Sequence, residues 1–432
     1  MMIKAIIHAD LFDYVNFRQD YYILFDTQIL EIGPMKDFAG ADEVFDAKGH
    51  VMMPGLVNGH SHIYSTFARG WSASCNAKNF TEFLEQMWWK LDRVLDQEAV
   101  YYSGLISALE CLENGVTTVV DHHASGQYIK GSLATLQKSV CDEIGLRGVF
   151  CFETSDRFDL QSCIEENMAF AKGSKTSAAA GVFGMHANMT LSNRSLETIK
   201  KQIGDMPIHI HVGESKDDGE YTQKVSRQTV VERLDHFGLI NKNAILSHCI
   251  YLTEKDKDLL KEKSIYIAVN PTSNMNNGVG LPDVKGFMNR GIKCLIGSDG
   301  LGSHFARDIQ NLLYTMHLKY QDAQAFGLAD MTSVIGHNYE YASTLLGCKL
   351  GRLQKGYEAD FIALPYQAPT PMDSSNALGH FFYGMLENFK PDYVWCRGEE
   401  RVAQGKVKRD TSTIYKEARQ VAAKVWEKTN QR

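Results

Sequence analysis

The 432-residue sequence has no run near the roughly 18–20 continuous apolar residues that a membrane span requires. It has no Cys-x-x-Cys pair, and its nine cysteines are scattered from Cys75 to Cys396. That pattern reads as reduced, mostly buried thiols in a cytoplasm. No signal peptide is visible, because Met1-Met2-Ile3-Lys4 is soon followed by Asp10, Asp13 and Arg18. Positive charge is not in excess: 45 basic against 52 acidic residues give −7, which argues against nucleic acid or an anionic membrane as partner. There is no internal repeat, low-complexity tract or long linker, and no Gly-x-Gly-x-x-Gly follows an early strand. The last absence weakens the case for an open doubly wound sheet. What remains is a globular chain, cytoplasmic by default.

What is present alternates. With 44% hydrophobic and 22% charged residues the composition is ordinary. Residues 1–50 read as short strands with turns, at Ile3–Ala9, Tyr21–Phe25 and Gln28–Ile32, too few to bury a core alone. From 51 to 350 short apolar runs (Val51–Val57, Gly115–Asp121, Gly148–Phe152, Gly181–Met185, Ile208–Val212, Ala244–His248, Ile265–Val269, Cys294–Gly297) alternate with helix-like stretches. Among the latter are Asp96–Glu113, Ser132–Ile144 and Asp308–Gln321. Such alternation predicts a closed (β/α)8 TIM barrel of the α/β class. Residues 351–432 return to β segments: a strand ending near Leu364, a hairpin over Asp392–Gln404, then an amphipathic helix at Thr413–Glu427. Both chain ends are expected to pair into one small β-sandwich.

Four apolar runs end in groups able to hold or activate a metal. His60 and His62 stand two residues apart after Val51–Val57, so a strand would present both to one face. His209 and His211, followed by Glu214, repeat that spacing. His248 ends a third run and Asp299, in Gly297-Ser298-Asp299-Gly300, a fourth. Singly, each has an ordinary explanation as a satisfied strand-end or turn residue. In a barrel, strand C-terminal ends converge on one mouth, where three imidazoles and a carboxylate suit Zn²⁺, with Fe²⁺ the alternative. His209 lies deeper than His211 and reads as a packed barrel histidine. Asp121-His122-His123 ends another strand, either facing the mouth as a second metal or substrate contact or bracing its neighbours. Trp71, Trp88 and Trp89 lie where lids often descend and could stack on a planar ring. Arg69 and Arg157 could meet substrate oxygens, with a salt bridge as the plainer role.

Together, Pro54-Gly55-Leu56-Val57-Asn58-Gly59-His60-Ser61-His62, His211-Val212-Gly213-Glu214, Ser247-His248-Cys249 and Gly297-Ser298-Asp299-Gly300 resemble the amidohydrolase superfamily, in its chlorohydrolase and nucleobase-deaminase branch. Tyr64–Gly70, Trp88–Asp92, Asp121–Ser125 and Asn270–Met275 are similar to the SsnA group of aminohydrolases. The resemblance implies one divalent metal held by His60, His62, His211 and Asp299. It also implies Glu214 as proton shuttle, His248 as the residue that orients the nucleophile or polarises the substrate, and Asp299 as acceptor of the water's proton. His186, where two-metal members carry a carboxylated lysine, becomes a substrate-binding candidate alongside Trp71 and Arg157. The expected reaction is deamination of a purine- or pterin-like ring. Opening of a cyclic amide or amidine, dechlorination and a non-catalytic metal scaffold are the rivals. Dimers are common in the superfamily, and that analogy alone makes a homodimer the expectation, with a small-molecule substrate as the partner.

Overall fold

The computed structural model describes residues 2–430. Nine strands from both chain ends form one sheet: Lys4–Phe12, Phe17–Phe25, Ile29–Pro34, Glu43–Asp46 and His50–Pro54 from the first, Phe361–Pro365, Tyr393–Cys396, Glu399–Ala403 and Lys406–Val407 from the second. The ends join where His50–Pro54 runs antiparallel to Phe361–Pro365, with Met53 opposite Ile362. Lys4–Phe12 is the corner. One edge pairs with Phe17–Phe25, while the other meets Glu43–Asp46 at Lys4–Ile7 and His50–Pro54 at Asp10–Leu11. Register shifts and a left-handed His8 (φ 51°) bend the strand there. The sandwich is therefore one sheet folded over its own core of Ile6, Ile23, Phe25, Met52, Phe361 and Trp395.

The expected Val51–Val57 strand is divided. It belongs to the terminal sheet as far as Pro54 and to the barrel from Leu56, as Leu56–Ser61. The break has a local cause: Pro54 has no N–H to continue a ladder. A Cβ on Gly55 would fall 2.4 Å from the Thr117 side chain, so only glycine lets the backbone cross so close.

Seven further parallel strands follow: Val116–His123, Arg147–Phe152, Phe183–Ala187, Ile208–Val212, Ile245–His248, Tyr266–Val269 and Lys293–Ile296. Their ladders form two arcs. Strands one to three are flanked by the short Ala179–Gly181, and strands four to eight form the other arc. Isolated parallel bridges, Thr154 with Met185 and Ser61 with Asp299, mark the two seams of this (β/α)8 arrangement. At the second seam the His60 carbonyl accepts from both Ser298 N and Asp299 N at 3.0 Å. Strands one, two, three and five are buried along their whole length, as sheet faces covered on both sides must be.

Helices lie outside. Asp96 caps Gln97–Glu113 by accepting from Ala99 N at 3.1 Å. The stretch from Ser132 turns from α to π hydrogen bonding at Gln137 and ends at Ile144. The terminal helix, Ser412–Asn430, is anchored by Trp426 Nε1 donating to the Phe67 carbonyl at 2.7 Å. Barrel and sheet are tied by the buried Arg147, whose Nε donates to Asp360 Oδ2 at 2.7 Å and whose Nη2 donates to Glu358 Oε2 at 2.6 Å. No helix among the described residues is long and apolar enough to cross a membrane.

Candidate metal centre

His60, His62, His211, His248 and Asp299 all lie at or just past the C-terminal ends of barrel strands, and they meet at one mouth. One ligand atom from each of His60, His62, His211 and Asp299 lies within 4.8 Å of the others. Backbone geometry aims them. Asp299 and His248 adopt left-handed conformations (φ 54° and 70°), turning the chain sharply as it leaves the strand. A Cβ at Gly297 would lie 2.7 Å from both Cβ and carbonyl oxygen of His60, so glycine lets the eighth strand close on the first.

Each imidazole is held by its inner nitrogen. His62 Nδ1 donates to the His122 carbonyl at 2.7 Å, and His211 Nδ1 donates to the His186 carbonyl at 2.9 Å. Carbonyls only accept, so each Nδ1 carries a proton and each Nε2 is the atom left to a proton or a metal. These Nε2 atoms face each other at 3.1 Å, and His62 Nε2 also lies 3.0 Å from Asp299 Oδ1. His60 Nε2 is buried without a hydrogen-bond partner, 3.4 Å from the same oxygen. Three imidazole nitrogens and a carboxylate oxygen converging away from water repel one another unless a proton or a metal cation sits among them. Against burial, Asp299 raises His62 to about 9 in that way. This donor set fits a divalent metal, and its mix of imidazole and carboxylate suits zinc.

Charge is partitioned around it. Burial opposes ionisation of Asp299, but hydrogen bonds from His60 and His62, then the charge of His62 and His248, hold its carboxyl well below the usual range. Ser273 donates to its Oδ2. Glu214 goes the other way: burial first, then the charge of Asp299, raise it well above an ordinary glutamate. His248 Nε2 borders both, 3.7 Å from Glu214 Oε2 and 4.0 Å from Asp299 Oδ2, while its Nδ1 lies 2.9 Å from Asn274 Oδ1. Burial pushes His60 down to about 4. Two carboxyl groups on one chamber wall, one pushed up and one held down, have the opposed tendencies of a proton donor and a proton acceptor.

The remaining candidates divide. His186 lines the chamber, and its Nδ1 lies 2.9 Å from Thr190 Oγ1. The wall carries Trp88 and Trp89; Trp71 is buried away from it. Arg157 is turned to Asp92 and Glu153, stacked over Trp89 at 4.7 Å. Arg69 pairs with Glu110 at 2.6 Å. Asp121-His122-His123 braces the centre: Asp121 Oδ1 accepts from Ile63 N at 2.6 Å, and His122 Nε2 lies 3.0 Å from the Met185 carbonyl.

The sequence places His209 deep in the barrel but assigns no role to it, nor to Ser273 and Asn274. His209 Nε2 lies 2.8 Å from His60 Nδ1. Its shared strand face with His211 was the available signal. Ser273 and Asn274 sit on Pro271–Asn277, seven residues with no amphipathic repeat to read.

A sequence profile of the Amidohydrolase family matches residues 51–401. The chain is 28% identical over 395 residues to 5'-deoxyadenosine deaminase of Methanosphaera stadtmanae, covering 87% of this chain and 88% of that one. It is 28% identical over 387 residues to 5-methylthioadenosine/S-adenosylhomocysteine deaminase of Thermococcus sibiricus, covering 86% and 87% respectively. Its fold matches a zinc-bound adenosine deaminase of Xanthomonas campestris with a TM-score of 0.83 at 20% identity, over 98% of both chains. With that match spanning most of its length, the chain belongs to the amidohydrolase family.

Proposed function

We propose that the protein hydrolytically deaminates a nitrogen heterocycle of the purine or pterin kind, with Zn²⁺ held by His60, His62, His211 and Asp299. Bound there, the ion supplies Lewis acidity that makes water a nucleophile near neutral pH. Asp299, kept ionised, accepts a proton from the attacking water. Glu214, kept protonated by burial, delivers one to the departing amine and recovers it within the cycle. His248, fixed through Nδ1 by Asn274, steers the reacting oxygen or carbonyl-like carbon between them. His186 and Trp88 form walls that confine a planar ring.

The observation that carries this reading is a buried Glu214, raised well above an ordinary glutamate, facing the mouth where Asp299, held low, meets three converging imidazoles. An amine must be protonated to leave and a halide need not be, so the acid at Glu214 favours deamination over dechlorination. The relatives named for 5'-deoxyadenosine and methylthioadenosine deamination make adenine nucleosides the first substrates to try. The test is mass spectrometry of zinc-loaded protein incubated with purines, purine nucleosides, pterins and cyclic ureides. Replacement of an amine by oxygen with ammonia released is the expected result. A product heavier by one water would instead establish ring opening.

A further inference from the structure

Glu153 follows directly on the third barrel strand, is only 2% exposed and lines the chamber. Its Oε1 is taken by Arg157 Nη2. The same guanidinium spans Asp92, with Nη2 2.8 Å from Oδ2 and Nη1 3.3 Å from Oδ1. Both oxygens of Asp92 are therefore occupied. Glu153 Oε2 is different: among the described residues no donor meets it. Arg157 is packed against two aromatic rings, its Cζ 4.7 Å from the centroids of both Trp89 and Phe158, and in that position donates only to Glu153 Oε1 and Asp92.

The charge of this wall does not balance. One guanidinium faces two carboxylates, leaving a surplus of one negative charge in a buried place. Burial accordingly raises both acids despite Arg157, Asp92 to about 6. Apart from the metal centre, the chamber wall brings no further cation, since no lysine or arginine is among its lining residues, whereas Asp92, Glu153, Glu214 and Asp299 are. A ligand with a hydrogen-bond donor at Glu153 would supply the missing partner. One with an anion there would meet a like charge, with Arg157 already turned to Glu153 and Asp92.

We infer that Glu153 is a substrate-binding, specificity-determining residue, whose Oε2 accepts from an N–H or O–H donor of the substrate, so that the chamber selects neutral or cationic substrates over carboxylate- or phosphate-bearing ones. The inference rests on the deaminase reading for the kind of substrate only, not for the contact. Arg157 is its positioning residue, holding the carboxylate by one oxygen and leaving the other to the ligand.

The test uses zinc-loaded full-length protein with adenosine, 2',3'-dideoxyadenosine, guanine and adenosine 5'-monophosphate. Binding is read by calorimetry and turnover by ammonia release, in wild type, Glu153→Gln and Asp92→Asn. Glu153→Gln is expected to weaken the best-bound neutral compound about 10- to 100-fold, the usual worth of a hydrogen bond to a charged group. It should also shrink the preference over the monophosphate, with zinc content unchanged and the loss in KM more than in kcat. Asp92→Asn disturbs the same guanidinium, and both Asp92 oxygens are taken up by Arg157 rather than offered to a ligand, so it should leave that preference in place. Equal affinity for adenosine and its dideoxy form assigns the donor to the ring edge, and loss with the dideoxy form assigns it to the sugar; both support the contact. An unchanged preference in Glu153→Gln, identical losses in the two variants, or no binding by any probe would overturn it. Glu153-dependent binding without ammonia release would sink the deaminase reading and leave this inference standing; ammonia release indifferent to Glu153 would do the reverse.

Discussion

His60 Nδ1 lies 2.8 Å from His209 Nε2, and both rings are fully buried. For His60 to offer Nε2 to a metal, its proton must sit on Nδ1 and His209 must accept it. His209 then carries its own proton on Nδ1, 3.8 Å from Cys151 Sγ. A histidine deeper in the barrel thus fixes the tautomer of a ligand at the mouth.

Replacing His209 by Phe keeps the ring volume and removes the acceptor. Metal affinity should fall about 10- to 100-fold, as when other outer partners of ligating histidines are lost. Competition with a chelator of known affinity measures it. If the variant holds zinc as tightly as wild type, His209 is packing and nothing more.

Glu214→Gln preserves shape and cannot cycle a proton. It should retain metal while kcat for the identified substrate drops roughly 100- to 10,000-fold, the usual share of general acid–base catalysis. Full turnover by metal-loaded Glu214→Gln would remove the proton shuttle from the mechanism.

Strand–helix alternation made the barrel legible, because period and apolar runs are local properties. The converging residues were legible for the same reason, as His60, His62, His211, His248 and Asp299 each follow an apolar run. What stayed hidden depends on chain crossings. Nothing local tells that Val51–Val57 serves two sheets, since the break at Gly55 answers to the Thr117 side chain more than sixty residues on. Nothing near Arg157 announces that Asp92 will pair with it. The deep position of His209 was read correctly, but its role needed the distance to His60.

Arg147 should be among the costliest positions to change outside the mouth. It joins the third barrel strand to Glu358 and Asp360 with both carboxylates nearly dry. Arg147→Met would strand them, at a cost of about 3–5 kcal/mol. Adding Glu358→Gln and Asp360→Asn should recover part of the loss, because no buried charge is then left unpaired. Urea midpoints of the single and triple variants decide this; a triple variant no more stable than the single would mean the guanidinium matters for packing rather than charge.

Asp308, in the first turns of the helix Phe305–Tyr320, is fully buried, and neither carboxyl oxygen has a partner in hydrogen-bond geometry. Burial, joined by the charge of Asp299 and opposed by Thr272 and Arg307, raises it to about 7. An unfolded aspartate titrates near 4. Below that pH both states hold the proton and the contribution to stability is fully present. Between about 4 and 7 the unfolded chain releases its proton while the native state keeps it, so native stability declines as pH rises. The loss is of the order of a few kcal/mol across the window. Asp308→Asn has no proton to lose. Compared with wild type on metal-depleted protein, it should be about equally stable near pH 4 and more stable near pH 8. Parallel urea-midpoint curves for the two proteins across that range would mean that Asp308 is ionised in the fold and that an unseen donor pairs with it.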